Sequence, residues 1–122
     1  MPVIKVWCLP QMTENQLKML HKNIVGAVVD LVDLGLKDEN DMTCLFPPDS
    51  MSYGLGEEII IEVTGLFEKP GRTEEVRQNL AQALGFVVHS MFLHMRLKAP
   101  LIECFVYPFN PVQGFWTNRR PG

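Results

Sequence analysis

The sequence predicts an α+β fold in which two β-α-β halves form a four-stranded mixed sheet with two helices on one face. Strand-like and helix-like segments alternate twice along the chain, and the second round, over residues 57–110, repeats the layout of the first, over residues 1–50. Because parallel β-α-β crossovers are right-handed, both helices fall on the same side of the sheet. The length of 122 residues suits one domain with its own core, so residues 1–122 are predicted to form a single domain.

The first half begins with a strand predicted over residues 2–8. The run Thr13-Glu14-Asn15-Gln16 is a capping box, which predicts the start of a helix. Apolar residues at helical spacing predict that this helix extends to about residue 34, where Gly35 fits a helix C-terminus. A short strand is predicted over residues 42–46, before two prolines.

The second half begins with the strongest strand signal of the chain, over residues 58–65, which is β-branched and bounded by glycines. Thr73 is the predicted N-cap of a second helix, and Glu74 and Glu75 in its first turn favour the helix dipole. A fourth strand is predicted over residues 101–107. The apolar face of the second helix consists of Val76, Leu80, Leu84, Val87, Val88, Met91 and Phe92.

Composition argues against several classes of function. The net charge of −3 lacks the basic excess that nucleic-acid binding requires. No apolar run approaches the roughly 18 residues of a membrane span, and the N-terminus lacks a signal-peptide pattern, so we expect a cytoplasmic protein without a membrane partner. Cys8, Cys44 and Cys104 are far apart in apolar stretches, which is typical of reduced core thiols. The sequence has no metal-ligand spacing and no glycine-rich phosphate loop, so neither a metal nor a cofactor is predicted.

Pro2 is the first candidate for chemistry, because methionine is usually removed before so small a residue. Loss of Met1 would leave a proline with a free secondary amine at the start of the first strand. An α-amino group titrates near ~8 in a model peptide, and burial in an apolar pocket lowers its pKa. Such an amine can serve as a base near neutral pH. The alternative interpretation is that proline only begins a strand at a position where no N–H is needed.

Two stretches of the sequence carry a family resemblance. One is Met1-Pro2 with the strand that follows it and the helix that begins at Thr13. The other runs from Gly65 to Glu75, where a strand is followed by a turn, by Gly-Arg-Thr and by two acids. These stretches and the repeated layout resemble the tautomerase superfamily. Within it, the chain is similar to double-length members such as malonate semialdehyde decarboxylase, cis-3-chloroacrylic acid dehalogenase and macrophage migration inhibitory factor.

The resemblance implies that the loop before the second helix presents cations to a substrate carboxylate. Arg72 lies directly before the N-cap of this helix, and its guanidinium can bind a carboxylate with two hydrogen bonds. Lys69 offers a second, less directional cation, and the resemblance suggests Lys37 as a further one. The alternative is a surface turn in which Lys69 and Arg72 are solvated or pair with Glu68 or Glu74.

The aromatic tail supplies further candidates for substrate binding. In the superfamily this part of the chain closes the pocket, often from a neighbouring subunit. The resemblance therefore implies that Tyr107 or Asn110 donates a hydrogen bond to an enolate oxygen and that Trp116 or Phe115 forms an apolar wall beside Pro2. The alternative is that these side chains only pack at an interface. The sheet face without helices would also be partly apolar and uncovered, and together with the resemblance this predicts a homotrimer.

These residues predict a cofactor-independent tautomerase of small 2-oxo (enol) carboxylic acids. Pro2 would be the general base, while Arg72, helped by Lys69, would bind the carboxylate. One alternative is a decarboxylase or hydratase of a small unsaturated or semialdehyde acid, with protonated Pro2 as the acid. Another is a non-catalytic trimeric binding protein of the same fold. Retention of Met1 would favour it, because the Pro2 nitrogen would then be an amide without basicity.

Overall fold

A computed structural model describes residues 1–48 and 58–119. The predicted repeat boundaries at residues 50 and 57 lie outside the described residues. The strands and helices are β1 (Val3–Trp7), α1 (Glu14–Asp30), β2 (Thr43–Leu45), β3 (Glu58–Phe67), α2 (Glu74–His94) and β4 (Leu101–Phe109). Short 3-10 turns lie at Val32–Leu34, Glu39–Asp41 and Pro111–Gln113.

Both helices begin where the sequence predicts. The Thr13 hydroxyl accepts a hydrogen bond from the Gln16 amide, and the Gln16 side chain accepts one from the Thr13 amide, which completes the capping box. The Thr73 hydroxyl likewise accepts from the Val76 amide at the start of α2. Helix α1 ends earlier than predicted, because Leu31 leaves the helical region with ψ at 83°. The apolar residues that follow form a 3-10 turn, which ends at Gly35 with φ at 72°.

The strand order is β2-β1-β3-β4, and the predicted mixed sheet is confirmed. Strand β1 is parallel to β2 and antiparallel to β3, while β3 and β4 are parallel. Alternate residues of β1 and β3 are buried, so one face of the sheet packs on both helices, as predicted. From the helices, the core receives the buried side chains of Leu20, Ile24, Val28, Leu80, Leu84, Val88 and Phe92.

Strands β3 and β4 are both longer than predicted. Gly65 lies inside β3 instead of ending it, because a register shift between Val63 and Leu66 and a φ of 68° at Gly65 let the strand bend and continue. Strand β4 continues through Pro108 to Phe109. It lies at the edge of the sheet within the chain, where proline costs no ladder hydrogen bond on the free side.

The sheet face opposite the helices carries both charged and aromatic side chains. Lys5 lies opposite Glu62, whose carboxylate accepts a hydrogen bond of 2.7 Å from the Trp7 indole. Phe105 and Tyr107 on β4 are exposed, and their rings stack at 6.4 Å. This face is uncovered in the single chain, as the sequence predicts. Within the described residues, no helix is both long and apolar enough to cross a membrane.

Candidate active site

The candidate site lies at one end of the sheet, where β1 and β2 begin and β3 and β4 end. The strand registers bring these ends together, since Val3 pairs with Thr43 on one side and with Thr64 on the other. Phe67 pairs with Phe109 on the next strand. Residues just before β1 and just after β3 therefore lie at the same end of the sheet.

Pro2 is buried between the two neighbouring strands. Its carbonyl oxygen accepts a hydrogen bond of 3.0 Å from the Thr43 amide. On its other side lies Gly65, where a Cβ would be in van der Waals contact with the Pro2 Cα, at 3.7 Å. Met1, in contrast, is 60% exposed. Backbone contacts on both sides thus hold Pro2 in place, while the residue before it projects toward solvent.

Arg72 is buried, with 7% of its surface exposed, and its guanidinium contacts backbone carbonyls. Nε and Nη2 donate to the Leu34 oxygen at 2.9 and 2.7 Å, and Nη1 donates to the Phe67 oxygen at 2.8 Å. Burial lowers the pKa of Arg72, because the charged form loses hydration. Arg72 therefore ties the turn after α1 to the end of β3, an arrangement that differs from the solvated surface turn weighed above.

Two lysines at this end of the sheet are exposed. Lys69 lies in the turn that Arg72 anchors, where the Arg72 amide donates to the Lys69 carbonyl at 2.9 Å. Lys37 lies in the segment before β2, where its amide donates to an Asp41 carboxylate oxygen at 2.7 Å. One cation thus stands in the loop after β3 and the other in the segment before β2.

Aromatic rings cluster beside this end of the sheet. The Phe67 ring lies 4.9 Å from that of Phe115, edge to face, and 6.1 Å from that of Phe109. Of the predicted wall residues, Phe115 thus joins a ring cluster at the end of β3, whereas Trp116 is 83% exposed. The chain therefore contains a ring cluster at the end of β3, and Trp116 adds little to it.

The other two tail candidates point to different places. The Asn110 side chain accepts from the Val112 amide at 3.2 Å and so begins the last 3-10 turn. Tyr107 lies in β4 and lines a groove of about 300 Å³ between β4 and α2. Glu74, Arg77 and Cys104 also line this groove. Within a single chain, Tyr107 and Trp116 are thus available to a neighbour.

Three residues at this end of the sheet were not singled out in the sequence. Thr43 and Gly65 flank Pro2, and Phe67 anchors the ring cluster. The one usable signal was the glycine, since a glycine inside a strand pattern marks a bulge or a close backbone approach. Nothing local distinguishes Thr43 from any other strand threonine. In residues 1–48 and 58–119, no group of three His, Cys, Asp or Glu side chains could hold a metal ion.

Solved structures with this fold are found at low sequence identity. A fused 4-OT protein, described as a wild-type asymmetric trimer, is 15% identical over 96% of this chain and 94% of its own, with a TM-score of 0.72. The structure of Pt0534 inactivated by 2-oxo-3-pentynoate is 16% identical over 95% and 93%, with a TM-score of 0.69. Malonate semialdehyde decarboxylase is 19% identical over 97% and 91%, with a TM-score of 0.63.

These proteins are members of the tautomerase superfamily, so the chain has the tautomerase fold that its sequence resembles. The match covers nearly the whole of each chain, and trimers are among the structures that share it. No family sequence model matches the chain, and no curated protein matches it in sequence.

Proposed function

We propose that this protein is a cofactor-independent tautomerase of small 2-oxo (enol) carboxylic acids, with Pro2 as the general base. The observation that carries the proposal is the placement of Pro2. It is buried at the head of β1, with Thr43 on one side and Gly65 on the other, in a chain with the tautomerase fold. A strand cap alone does not require glycine at the neighbouring position of β3, nor the exposed cations Lys69 and Lys37 in the segments after β3 and before β2.

The chemistry depends on removal of Met1, which turns the Pro2 nitrogen from an amide into a secondary amine. Because Pro2 is buried, we expect the charged amine to be poorly hydrated and its pKa to lie below ~8. The neutral amine takes a proton from the enol oxygen or from a carbon next to the carbonyl and returns it to the other position. We expect the ring cluster around Phe67 to limit water at this end of the sheet.

The substrate carboxylate requires a cation. Arg72 donates three of its five N–H groups to backbone carbonyls. Two N–H groups remain that could bind a carboxylate. We propose that Lys69 is the main partner of the carboxylate, because it is exposed in the loop that Arg72 holds. Lys37 is the competing cation on the β2 side.

A homotrimer is part of the proposal. Trimers occur among the structures with this fold, and the open sheet face with Phe105 and Tyr107 supplies apolar surface for a contact. In a trimer, Tyr107, Asn110 and Trp116 would complete the site of a neighbouring subunit.

The first experiment measures the intact mass of protein purified without an N-terminal tag, before and after exposure to 2-oxo-3-pentynoate. We expect loss of Met1 and one adduct mapped to Pro2, in which the amine nitrogen bonds to the alkyne carbon and its proton moves to the neighbouring carbon.

Pro2→Ala keeps an N-terminal amine and should lower ketonisation of phenylenolpyruvate at least tenfold, about 1.4 kcal/mol of transition-state stabilisation. A trimmed, unlabelled protein with no ketonisation would refute the proposal.

The two lysines form a matched pair for locating the carboxylate. Lys69→Met should raise KM for phenylenolpyruvate with little change in kcat, because it removes binding that is equal in ground and transition states. Lys37→Met should leave KM unchanged. The reverse result would move the carboxylate to the β2 side and contradict the assignment of Lys69.

The likeness to malonate semialdehyde decarboxylase supports one alternative, decarboxylation or hydration of a small acid with protonated Pro2 as the acid. The pH dependence separates the two, since activity would fall as pH rises through the pKa of Pro2 for the acid mechanism and rise for the base mechanism. Product analysis by NMR with malonate semialdehyde tests the alternative directly. A non-catalytic trimer of the same fold would show neither activity, whether or not Met1 is removed.

A further inference from the structure

Met1 is 60% exposed, in an open cleft whose two sides are Thr43 of β2 and Gly65 of β3. Its carbonyl oxygen would lie only 3.1 Å from a Cβ built on Gly65. Its sulfur accepts a hydrogen bond of 3.1 Å from the Thr43 hydroxyl. One residue of β3 and one of β2 therefore bracket Met1 from opposite sides.

Gly65 is required at its position for two separate reasons. Its φ of 68° is a conformation that residues with a side chain rarely adopt. In addition, a Cβ at this position would lie 3.1 Å from the Met1 carbonyl oxygen, which is tight, and in ordinary contact with the Pro2 Cα at 3.7 Å. The bulge between Val63 and Leu66 brings this bare stretch of backbone against the head of β1. The wall of the cleft on the β3 side is thus formed by backbone alone.

Thr43 supplies the polar side of the cleft. Its amide donates to the Pro2 carbonyl at 3.0 Å, which fixes the residue relative to Pro2. Its hydroxyl donates to the sulfur of Met1, the residue that precedes Pro2. When Met1 is removed, the hydroxyl loses this acceptor and faces the space that Met1 leaves.

We infer that the space vacated by Met1 is the subsite for the 2-oxo or enol oxygen of the substrate, with Thr43 as the hydrogen-bond donor and Gly65 as the wall that sets its size. This inference rests on the proposed function, because it assumes a free Pro2 amine. A keto or enol oxygen is a stronger acceptor than a thioether sulfur. The Thr43 hydroxyl would therefore make a stronger hydrogen bond to the substrate oxygen than to the Met1 sulfur. A donor fixed beside the base can stabilise charge that develops on this oxygen.

The test measures the affinity of the trimmed protein for phenylpyruvate by isothermal titration calorimetry. Thr43→Val keeps the shape of the side chain and removes the hydroxyl, so the affinity should fall about five- to tenfold, as for one lost hydrogen bond. Thr43→Ser keeps the donor and should bind within about twofold of the unaltered protein. Thr13→Val is the matched control, because Thr13 follows the end of β1, at the end of the sheet away from Pro2, and the change should leave the affinity unaltered.

A second comparison tests whether the vacated space is the subsite. Protein with one glycine left before Pro2 by protease cleavage keeps a carbonyl in the cleft and should not bind phenylpyruvate. Equal affinity for this extended protein, or for Thr43→Val, would overturn the inference.

If Pro2-dependent ketonisation is unchanged in Thr43→Val, only the subsite is wrong. If phenylpyruvate binding depends on Thr43 but ketonisation is absent, the proposed reaction fails and the subsite stands. A trimmed protein that does not bind phenylpyruvate would overturn both.

Discussion

The two β-α-β halves share a layout but begin their helices in different ways. Helix α1 starts with a capping box whose two hydrogen bonds join Thr13 and Gln16, three residues apart. Helix α2 has a simple Thr73 cap, but the residue before it, Arg72, bonds carbonyls 38 and 5 residues away. The start of α1 is thus fixed locally, whereas the start of α2 is also tied to the first half of the chain. This tie holds the second loop beside the head of β1, where the candidate site lies.

The largest expected effect comes from breaking that tie. Arg72→Met leaves the Leu34 and Phe67 carbonyls without their donor, and we expect the free energy of unfolding to fall by roughly 3 kcal/mol. Arg77→Met is the matched control, because Arg77 makes one bond of 2.7 Å to the Arg72 carbonyl and should cost roughly 1 kcal/mol. Urea unfolding at one fixed protein concentration measures both. Equal losses would mean that Arg72 does not tie the halves together.

The second-largest expected effect is on the pH dependence of stability. It concerns the Cys44 thiol in β2 and the Cys104 thiol in β4, the last strands of the two halves. Burial raises the pKa of Cys44 to about 11 and that of Cys104 to about 12, from about 9. Above pH 9 the unfolded thiol ionises while the folded one keeps its proton, so stability is lost as pH rises from 9 toward 11 for Cys44 and toward 12 for Cys104. The limiting slope is about 1.4 kcal/mol per pH unit and group, and partial exposure of both thiols reduces it.

Urea unfolding of Cys44→Ala and Cys104→Ala at several pH values checks this expectation. Each variant should lose stability less steeply than the unaltered protein above pH 9, and the difference should extend to higher pH for Cys104. Parallel curves for all three proteins would contradict the raised thiol pKa values.

A smaller effect sharpens the comparison of the two helix starts. Thr13→Ala should cost about 1 kcal/mol, and Thr73→Ala somewhat less, because the capping box is reciprocal and the cap of α2 is not. Arg72 also continues to hold α2 in place after its cap is lost. Paired unfolding curves measure the difference. A larger loss for Thr73→Ala would show that Arg72 gives the start of α2 no additional support.

The smallest effect belongs to the surface ion pair of α1. Lys18 and Glu14 lie 3.4 Å apart with side chains 71% and 83% exposed. Lys18→Met should change the free energy of unfolding by less than about 0.5 kcal/mol. A larger change would show that the start of α1 depends on charge as well as on its cap.

The sequence by itself determined the strands, the helices, both N-caps and the mixed sheet with helices on one face. These features rest on local signals, namely the spacing of apolar residues and the side chains that cap the first turn. The same signals misjudged the end of α1 and the ends of β3 and β4. Those boundaries depend on a bulge at Gly65 and on an edge strand that tolerates Pro108, which are properties of the sheet.

The site shows the same division. Pro2 and the Lys69–Arg72 loop stood out in the sequence, but only the tertiary structure decided what each of them touches. Arg72 looked free to bind a carboxylate, yet it donates hydrogen bonds to the carbonyl of Leu34, 38 residues away, and to that of Phe67, five residues away. Thr43 reaches Met1 only because β2 lies parallel to β1 in one register. The sequence therefore supplied the reactive groups, and the pairing of strands far apart in the chain placed a hydroxyl and a bare glycine beside them.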